Sequence, residues 1–266
     1  MSMRLFVFDV DGTIIDYDQN IKTETIESIN NLLRNGEAVA IASGRPFPGV
    51  KKYLSLFVEG NKYAICSNGA SIYDFDGNLL FRDGLPISLL NEMYLDFEKN
   101  PLNLNVFAFF DNYVAYYKYD EWIERELRLN DALPYDLNKI NYSKDTLIDK
   151  IIVGGDPENS KQTVIKKEIC DKYHVVRSSI FFIDIMNKGI DKASGVSKLA
   201  EIINVNQKDI FTFGDALNDY LMIKNFNGIA MGNALKEVKE VAKFVTKDVN
   251  DCGITYAIDH YINKII

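Results

Sequence analysis

The sequence predicts an α/β protein in which a parallel-sheet core is interrupted by a smaller α+β domain. Three observations carry this expectation. From Leu5 to Ser67, short apolar runs alternate with amphipathic stretches, the pattern of β–α–β units and of a parallel sheet with right-handed crossovers. Further along, apolar runs are joined by tight-turn dipeptides, which read as hairpins. After residue 187 the first pattern returns. The expected core is therefore discontinuous, 1–82 and 187–266, with the α+β domain at 83–186.

Leu5 to Val10 combines β-branched and aromatic residues and is broken by Gly12, as expected of a buried strand. Thr23 to Asn35 places Ile26, Ile29, Leu32 and Leu33 on one helical face, with Thr23 as N-cap and Gly36 as the residue after the helix. Ala38 to Ala42 is a second strand. A helix from Pro46 to Phe57 and a third strand from Tyr63 to Ser67, closed by Asn68-Gly69, follow. Ser71 to Tyr73 and Leu79 to Phe81 flank Asp76-Gly77, a hairpin signal.

In the inserted region a helix from Ser88 to Lys99 precedes two strands, Asn103 to Phe110 and Tyr113 to Tyr117, turned at Asp111-Asn112. A helix near Glu121 to Leu129, a strand at Ile151 to Val153 and a helix from Pro157 to Cys170 come next. His174 to Ser178 and Phe181 to Met186 read as paired strands. The core pattern resumes with a helix from Lys192 to Ile203, a strand from Ile210 to Gly214 and a helix from Asp219 to Asn225. A strand from Asn227 to Met231 and a helix from Ala234 to Ala242 complete it.

With 266 residues, 47% of them hydrophobic, the chain can bury a sizeable core. Thirty basic residues face 38 acidic ones, a net charge of −8, so its overall field attracts neither nucleic acid nor an anionic membrane. A bound phosphate must be held by local donors or a metal. Cys66, Cys170 and Cys252 lack CxxC spacing and read as three core thiols in a reducing compartment. No secretory signal precedes the carboxylates at Asp9 and Asp11, and no apolar run has the length of a membrane helix. A cytoplasmic protein is expected, a monomer or weak homodimer.

Polar residues stand directly behind three of the expected strands: Asp9 and Asp11, Ser43, and Asp215 with Asp219. In open parallel sheets ligands sit beyond the carboxyl ends of the strands. Carboxylates from two such ends can converge there, and hard oxygen donors suit Mg2+. Asp9 can attack phosphorus to form an aspartyl phosphate, and Asp11 can protonate the leaving oxygen and then activate water. Gly12 allows a tight turn, and Thr13 can donate a local hydrogen bond. Ser43 and Gly44, at a helix start, can bind phosphate. Lys192 can neutralise phosphate and orient the nucleophile, with Lys188 as its nearest competitor. Asp215 is placed for a metal, Asn218 for phosphate or a carboxylate, and Asp219 for Lys192 or a metal-bound water.

Four segments, in this order, resemble the four motifs of the haloacid dehalogenase superfamily. They are Asp9-Val10-Asp11-Gly12-Thr13, the serine of Ile41-Ala42-Ser43-Gly44-Arg45-Pro46, the lysine of Gly189-Ile190-Asp191-Lys192-Ala193-Ser194-Gly195, and Gly214-Asp215 through Asp219. The long interval between Ser43 and Lys192 is similar to the Cof-type group, whose α/β cap is inserted there. The resemblance implies a Rossmann-like, doubly wound core, a nucleophilic Asp9, an acid/base Asp11, and Mg2+ bound by Asp9, the carbonyl of Asp11 and Asp215. Ala193 departs from the glycine that many relatives carry after the lysine.

With Asp11 present, the resemblance implies phosphatase or phosphomutase chemistry on a small phosphorylated metabolite. A phosphomutase of the same superfamily and a non-catalytic phosphometabolite-binding protein are the alternatives. Phe107 to Trp122 is rich in aromatic residues. It reads either as packing of the small domain's sheet, the preferred reading, or as a stacking surface for a ring-bearing substrate.

Overall fold

The structure, a computed structural model, describes residues 3–264. The chain divides into two compact units. One comprises the chain up to Gly44, Val50–Phe81 and everything from Asp191 onward; the other comprises Arg45–Gly49 and Arg82–Ile190.

The first unit is built on an eight-stranded sheet. Its order is Phe244–Val245, Asn227–Ala230, Ile210–Gly214, Leu5–Phe8, Ala38–Ala42, Asn61–Cys66, Ser71–Asp74 and Leu79–Arg82. The first six strands run parallel, and Ser71–Asp74 returns antiparallel. The three central strands, Ile210–Gly214, Leu5–Phe8 and Ala38–Ala42, are buried at every residue. Consecutive side chains point to opposite faces, so both faces are covered, as a doubly wound sheet requires. Helices Thr23–Arg34 and Gly253–His260 pack on each other, as do Lys192–Ile202 and Tyr220–Asn225. Phe8 stacks on Phe213 across two central strands at 4.8 Å between ring centroids.

The second unit carries a six-stranded sheet ordered His174–Arg177, Phe182–Met186, Lys150–Gly154, Asn105–Phe110, Tyr113–Tyr116, Leu133–Asp136. Only the last pairing is parallel. Strand Asn105–Phe110 feeds two hydrophobic clusters by alternation. Val106, Ala108 and Phe110 enter one with Leu90 and Met93 of helix Ile87–Glu98. Phe107 and Phe109 enter the other with Ile123 of helix Glu121–Asn130. The aromatic run is therefore mostly packing: Phe107, Phe109, Phe110 and Tyr116 are buried, whereas Tyr119 is 55% exposed.

Some local expectations need correction. Ile26 N donates to Lys22 O, so Lys22 is the N-cap of the first helix, Thr23 lies inside it, and no side chain caps it. The helix expected from Pro157 to Cys170 is two short ones, Pro157–Gln162 and Lys167–Lys172. The β-branched run Thr163-Val164-Ile165 between them is a poor helix former, and its extended path buries Ile165 in the core. The cysteines are free, but only Cys66 is a buried thiol; Cys170 lies in the helix Lys167–Lys172, which buries no residue. Sequence reading also passed over strand Leu133–Asp136 and helix Gly253–His260. Among the described residues no helix is long and apolar enough to cross a membrane.

Candidate active site

Strand Leu5–Phe8 lies between Ile210–Gly214 and Ala38–Ala42, where the chain winds away in both directions. That arrangement opens a crevice beyond the carboxyl ends of the strands. Asp9 N donates to Phe213 O at 3.0 Å, which extends the ladder by one residue and sets Asp9 beside the end of the neighbouring strand. Behind it the backbone turns tightly, with Thr13, Ile14 and Ile15 all donating to Val10 O. Gly12 has φ +80°, and a Cβ there would lie 2.4 Å from Asp215 Oδ2. Glycine is thus needed both for the turn and for the approach of the Asp215 carboxylate.

Lys192 opens helix Lys192–Ile202. Asp191 caps that helix, with Ser194 N donating to Asp191 Oδ1 and Asp191 N to Ser194 Oγ, so the helix start is fixed. The Lys192 side chain is 1% exposed and donates to Asp9 Oδ1 at 2.5 Å and Asp219 Oδ1 at 2.6 Å. Asp219 Oδ2 accepts from the backbone N–H groups of Asp215 and Ala216. Lys188, the competitor, is exposed in the second unit and donates to Asp171 O.

Three buried aspartates, Asp9, Asp215 and Asp219, therefore surround one buried ammonium. Burial raises the Asp9 carboxyl, Asp219 adds to the rise, and Lys192 opposes it. Asp215 is pushed up to about 6, by burial first and then by Asp219. Burial alone would lower the Lys192 ammonium, but Asp219 and Asp9 outweigh it and hold it above its ordinary value. The cluster thus has more negative than positive charge in a poorly solvated place, and a cation relieves that imbalance.

The donor set fits a hard divalent cation. Carboxylate oxygens of Asp9, Asp215 and Asp219 lie within 4.8 Å of one another. Asp219 is already occupied by its three donors, which leaves Asp9 and Asp215 to face an ion. Asp215 Oδ1 is buried and has no hydrogen-bond partner, the condition of an atom that serves a ligand. Oxygen-only donors of this kind suit Mg2+.

The other expected residues are placed as follows. Asp11 is exposed, and Gln19 Nε2 reaches its Oδ1 at 3.5 Å. Ser43 is buried at the end of Ala38–Ala42; its N–H donates to Ile65 O and its carbonyl accepts from Asn68 N. Gly44 follows, half-buried. Thr13 is buried, but its Oγ1 makes no hydrogen bond, so the expected local bond is not formed. Asn218 is exposed and makes no hydrogen bond to the cluster.

Two residues were missed by sequence reading. Asn233 Nδ2 donates to Gly12 O at 2.8 Å and lies 3.4 Å from Asp215 Oδ2, while Val249 N donates to its Oδ1. The Tyr17 hydroxyl donates to Asp215 Oδ2 at 3.2 Å. Together they occupy Oδ2 and leave Oδ1 as the free oxygen. Asn233 was findable: it is a polar residue just past an apolar strand, the same signal that marked Asp9, Ser43 and Asp215. Tyr17, exposed in a loop, carried no such signal.

A family model described as haloacid dehalogenase-like hydrolase matches residues 6–258. The chain is 30% identical to YkrA of Bacillus subtilis, whose name ascribes to it a phosphatase activity without a substrate, over 97% of each chain. It is 27% identical to the 5-amino-6-(5-phospho-D-ribitylamino)uracil phosphatase YcsE of the same organism, over 98% of this chain and 97% of that one. Among solved structures, a haloacid dehalogenase-like hydrolase from Bacteroides thetaiotaomicron superposes with a TM-score of 0.85 at 25% identity, covering all of both chains.

Proposed function

Because the chain belongs to the haloacid dehalogenase-like hydrolases, we propose that it is a Mg2+-dependent phosphatase of small phosphomonoesters working through an aspartyl phosphate on Asp9. One observation carries this reading: the Asp9 carboxylate is held by Lys192 at the switch point of the sheet, inside a buried acidic surplus.

An Asp9 carboxylate oxygen attacks phosphorus while the bond to the alcohol oxygen breaks, and Asp11 gives its proton to that oxygen. The Asp11 carboxylate then takes a proton from a water whose oxygen attacks the phosphoenzyme. The bond between phosphorus and Asp9 breaks, releasing phosphate and restoring both carboxyl groups. The exposure of Asp11 suits a group that meets an incoming water and a departing alcohol. Lys192 holds Asp9 in line and offsets phosphoryl charge; Ser43 and Gly44 receive the phosphate oxygens, with Asn218 at the rim. Thr13 and Asp219 lie behind, Asp219 as the anchor of Lys192. Asp9, the Asp11 carbonyl and Asp215 would hold Mg2+, whose positive charge supplies further stabilisation of the transferring group.

The substrate is a small phosphorylated metabolite, such as a sugar phosphate. The same reading gives 83–186 the role of an inserted cap that selects it. The YcsE and YkrA names support phosphate-ester hydrolysis as the class of reaction. The test is turnover on a panel of phosphorylated metabolites. Hydrolysis should vanish in EDTA and return with Mg2+, and Asp9→Asn should lose roughly 10^3-fold or more in kcat. Near-normal turnover by Asp9→Asn would overturn the nucleophile assignment.

A further inference from the structure

Strand Asn61–Cys66 is the neighbour of Ala38–Ala42, and it ends in Ser67-Asn68-Gly69. The backbone here is unusual. Ser67 (φ 49°), Asn68 (φ 58°) and Gly69 (φ 103°) are three consecutive residues in the left-handed region, two of them with side chains. Such conformations cost about 1–3 kcal/mol each for non-glycine residues and gather at ligand sites. The turn is tied to the expected phosphate loop: Asn68 N donates to Ser43 O at 2.9 Å, and Ser43 N to Ile65 O at 2.9 Å.

The side chains are also unusual. Asn68 is 8% exposed, yet its Oδ1 has no hydrogen-bond partner, and the buried Ser67 Oγ has none either. The Asn68 carboxamide lies against Gly44: a Cβ at 44 would be 3.3 Å from Oδ1 and 3.5 Å from Nδ2. A half-turn of the amide exchanges its oxygen and nitrogen, so the buried end can present a donor. Thr13 Oγ1 and Asp215 Oδ1, behind the two central strands, share the unpartnered state.

We propose that Asn68 is a phosphate-contacting residue, its carboxamide closing the anion site beside Ser43 and Gly44 from the end of a fourth strand. The inference rests on the phosphatase reading for its ligand, a phosphomonoester dianion or inorganic phosphate. A carboxamide N–H donated to phosphate also explains why an asparagine, which tolerates left-handed backbone, stands where glycine would suffice for the turn.

The experiment measures inorganic phosphate binding by calorimetry in Mg2+, with Tm as the fold control, on wild type, Asn68→Gly and Asn68→Asp. Glycine keeps the left-handed backbone and removes the side chain with its amide; aspartate keeps the shape and sets a carboxylate against the anion. Loss of a hydrogen bond to a charged ligand should weaken phosphate binding roughly tenfold in Asn68→Gly, and further in Asn68→Asp, at near-native Tm. Unchanged phosphate affinity in either variant, or no phosphate binding by wild type, overturns the proposal. Hydrolysis of phosphomonoesters by wild type is scored separately. Phosphate binding lost in the variants, without ester turnover by wild type, would sink the phosphatase reading and leave Asn68 as an anion ligand.

Discussion

Each of the two units buries a lysine against carboxylate, and the two burials differ in their balance. In the second unit Lys150 Nζ meets Asp184 Oδ2 at 2.7 Å and lies 5.1 Å from the centre of the Phe109 ring. Ser178 Oγ donates to the remaining oxygen of Asp184 at 2.8 Å. One cation meets one anion, and both oxygens are occupied. In the first unit Lys192 meets two carboxylates, and a third, Asp215, stands beside them with an unpartnered oxygen. A matched pair needs nothing further and serves the fold. A mismatched group at the carboxyl ends of parallel strands is unfinished until a ligand completes it, and the surplus sign names that ligand as a cation.

Removing each lysine is the largest way to break this contrast. Lys192→Ala should lower kcat by about 10^2- to 10^3-fold, since the charge facing the phosphoryl group is gone. Lys150→Met should leave turnover per folded molecule unchanged and destabilise the protein by about 3–5 kcal/mol, because Asp184 is left as an uncompensated buried charge. Chemical denaturation and single-substrate kinetics on both variants separate the two effects. Converting Asp184 to leucine as well should recover most of the stability lost in Lys150→Met. Loss of turnover in well-folded Lys150→Met would show that the matched pair also serves the reaction.

The same contrast explains what could be read from sequence. The strand-end residues Asp9, Ser43, Asp215 and Asp219 were legible because a buried parallel strand announces itself as an apolar run, and a polar residue just past it has few structural uses. Lys192 was legible from its position at a helix start. Pairing partners were not: that Lys192 rather than Lys188 reaches Asp9, and that Asn233 bridges Gly12 and Asp215, depend on sheet order and register. Lys150 and Asp184 lie inside neighbouring strands, where Asp184 stands opposite Ile152 and only the alternation of faces lets Lys150, two residues away, reach it. The broken helix at Thr163 to Lys166 escaped notice because no proline or glycine marks it; burial of Ile165 does.

Cation binding should sharpen the contrast by a smaller amount. Mg2+ at a hundredfold excess over its dissociation constant stabilises a protein by about 2.7 kcal/mol when it binds only the folded state. Differential scanning with and without Mg2+ should show a rise in Tm for wild type and for Lys150→Met, and little or none for Asp215→Asn. Without Mg2+, Asp215→Asn should be at least as stable as wild type, because one of three crowded carboxylates has been neutralised. An undiminished Mg2+ response in Asp215→Asn would place the cation elsewhere.

The smallest effect concerns a second carboxylate near the matched pair, Glu126. Burial raises its carboxyl above the ordinary value; Arg125, Lys150 and Asn130 oppose the rise, and Asp184 adds to it. Asn130 Nδ2 donates to Glu126 Oε2, and Arg125 reaches Oε1 at 2.9 Å. The folded state therefore binds a proton at Glu126 more tightly than the unfolded chain does. Between the unfolded carboxylate value and the raised folded one, folding takes up a proton, so stability falls as pH rises through that window. Glu126→Gln removes the charge but keeps an acceptor for Asn130, and the half-exposed contact with Arg125 contributes little. The Tm of Glu126→Gln minus that of wild type should thus become more positive from pH 4.5 to pH 7.5. A difference that stays flat with pH would mean that the Glu126 carboxylate carries no cost. The second unit would then hold Glu126 ionised beside Arg125, and the contrast with the aspartates around Lys192 would rest on solvation rather than on the count of charges.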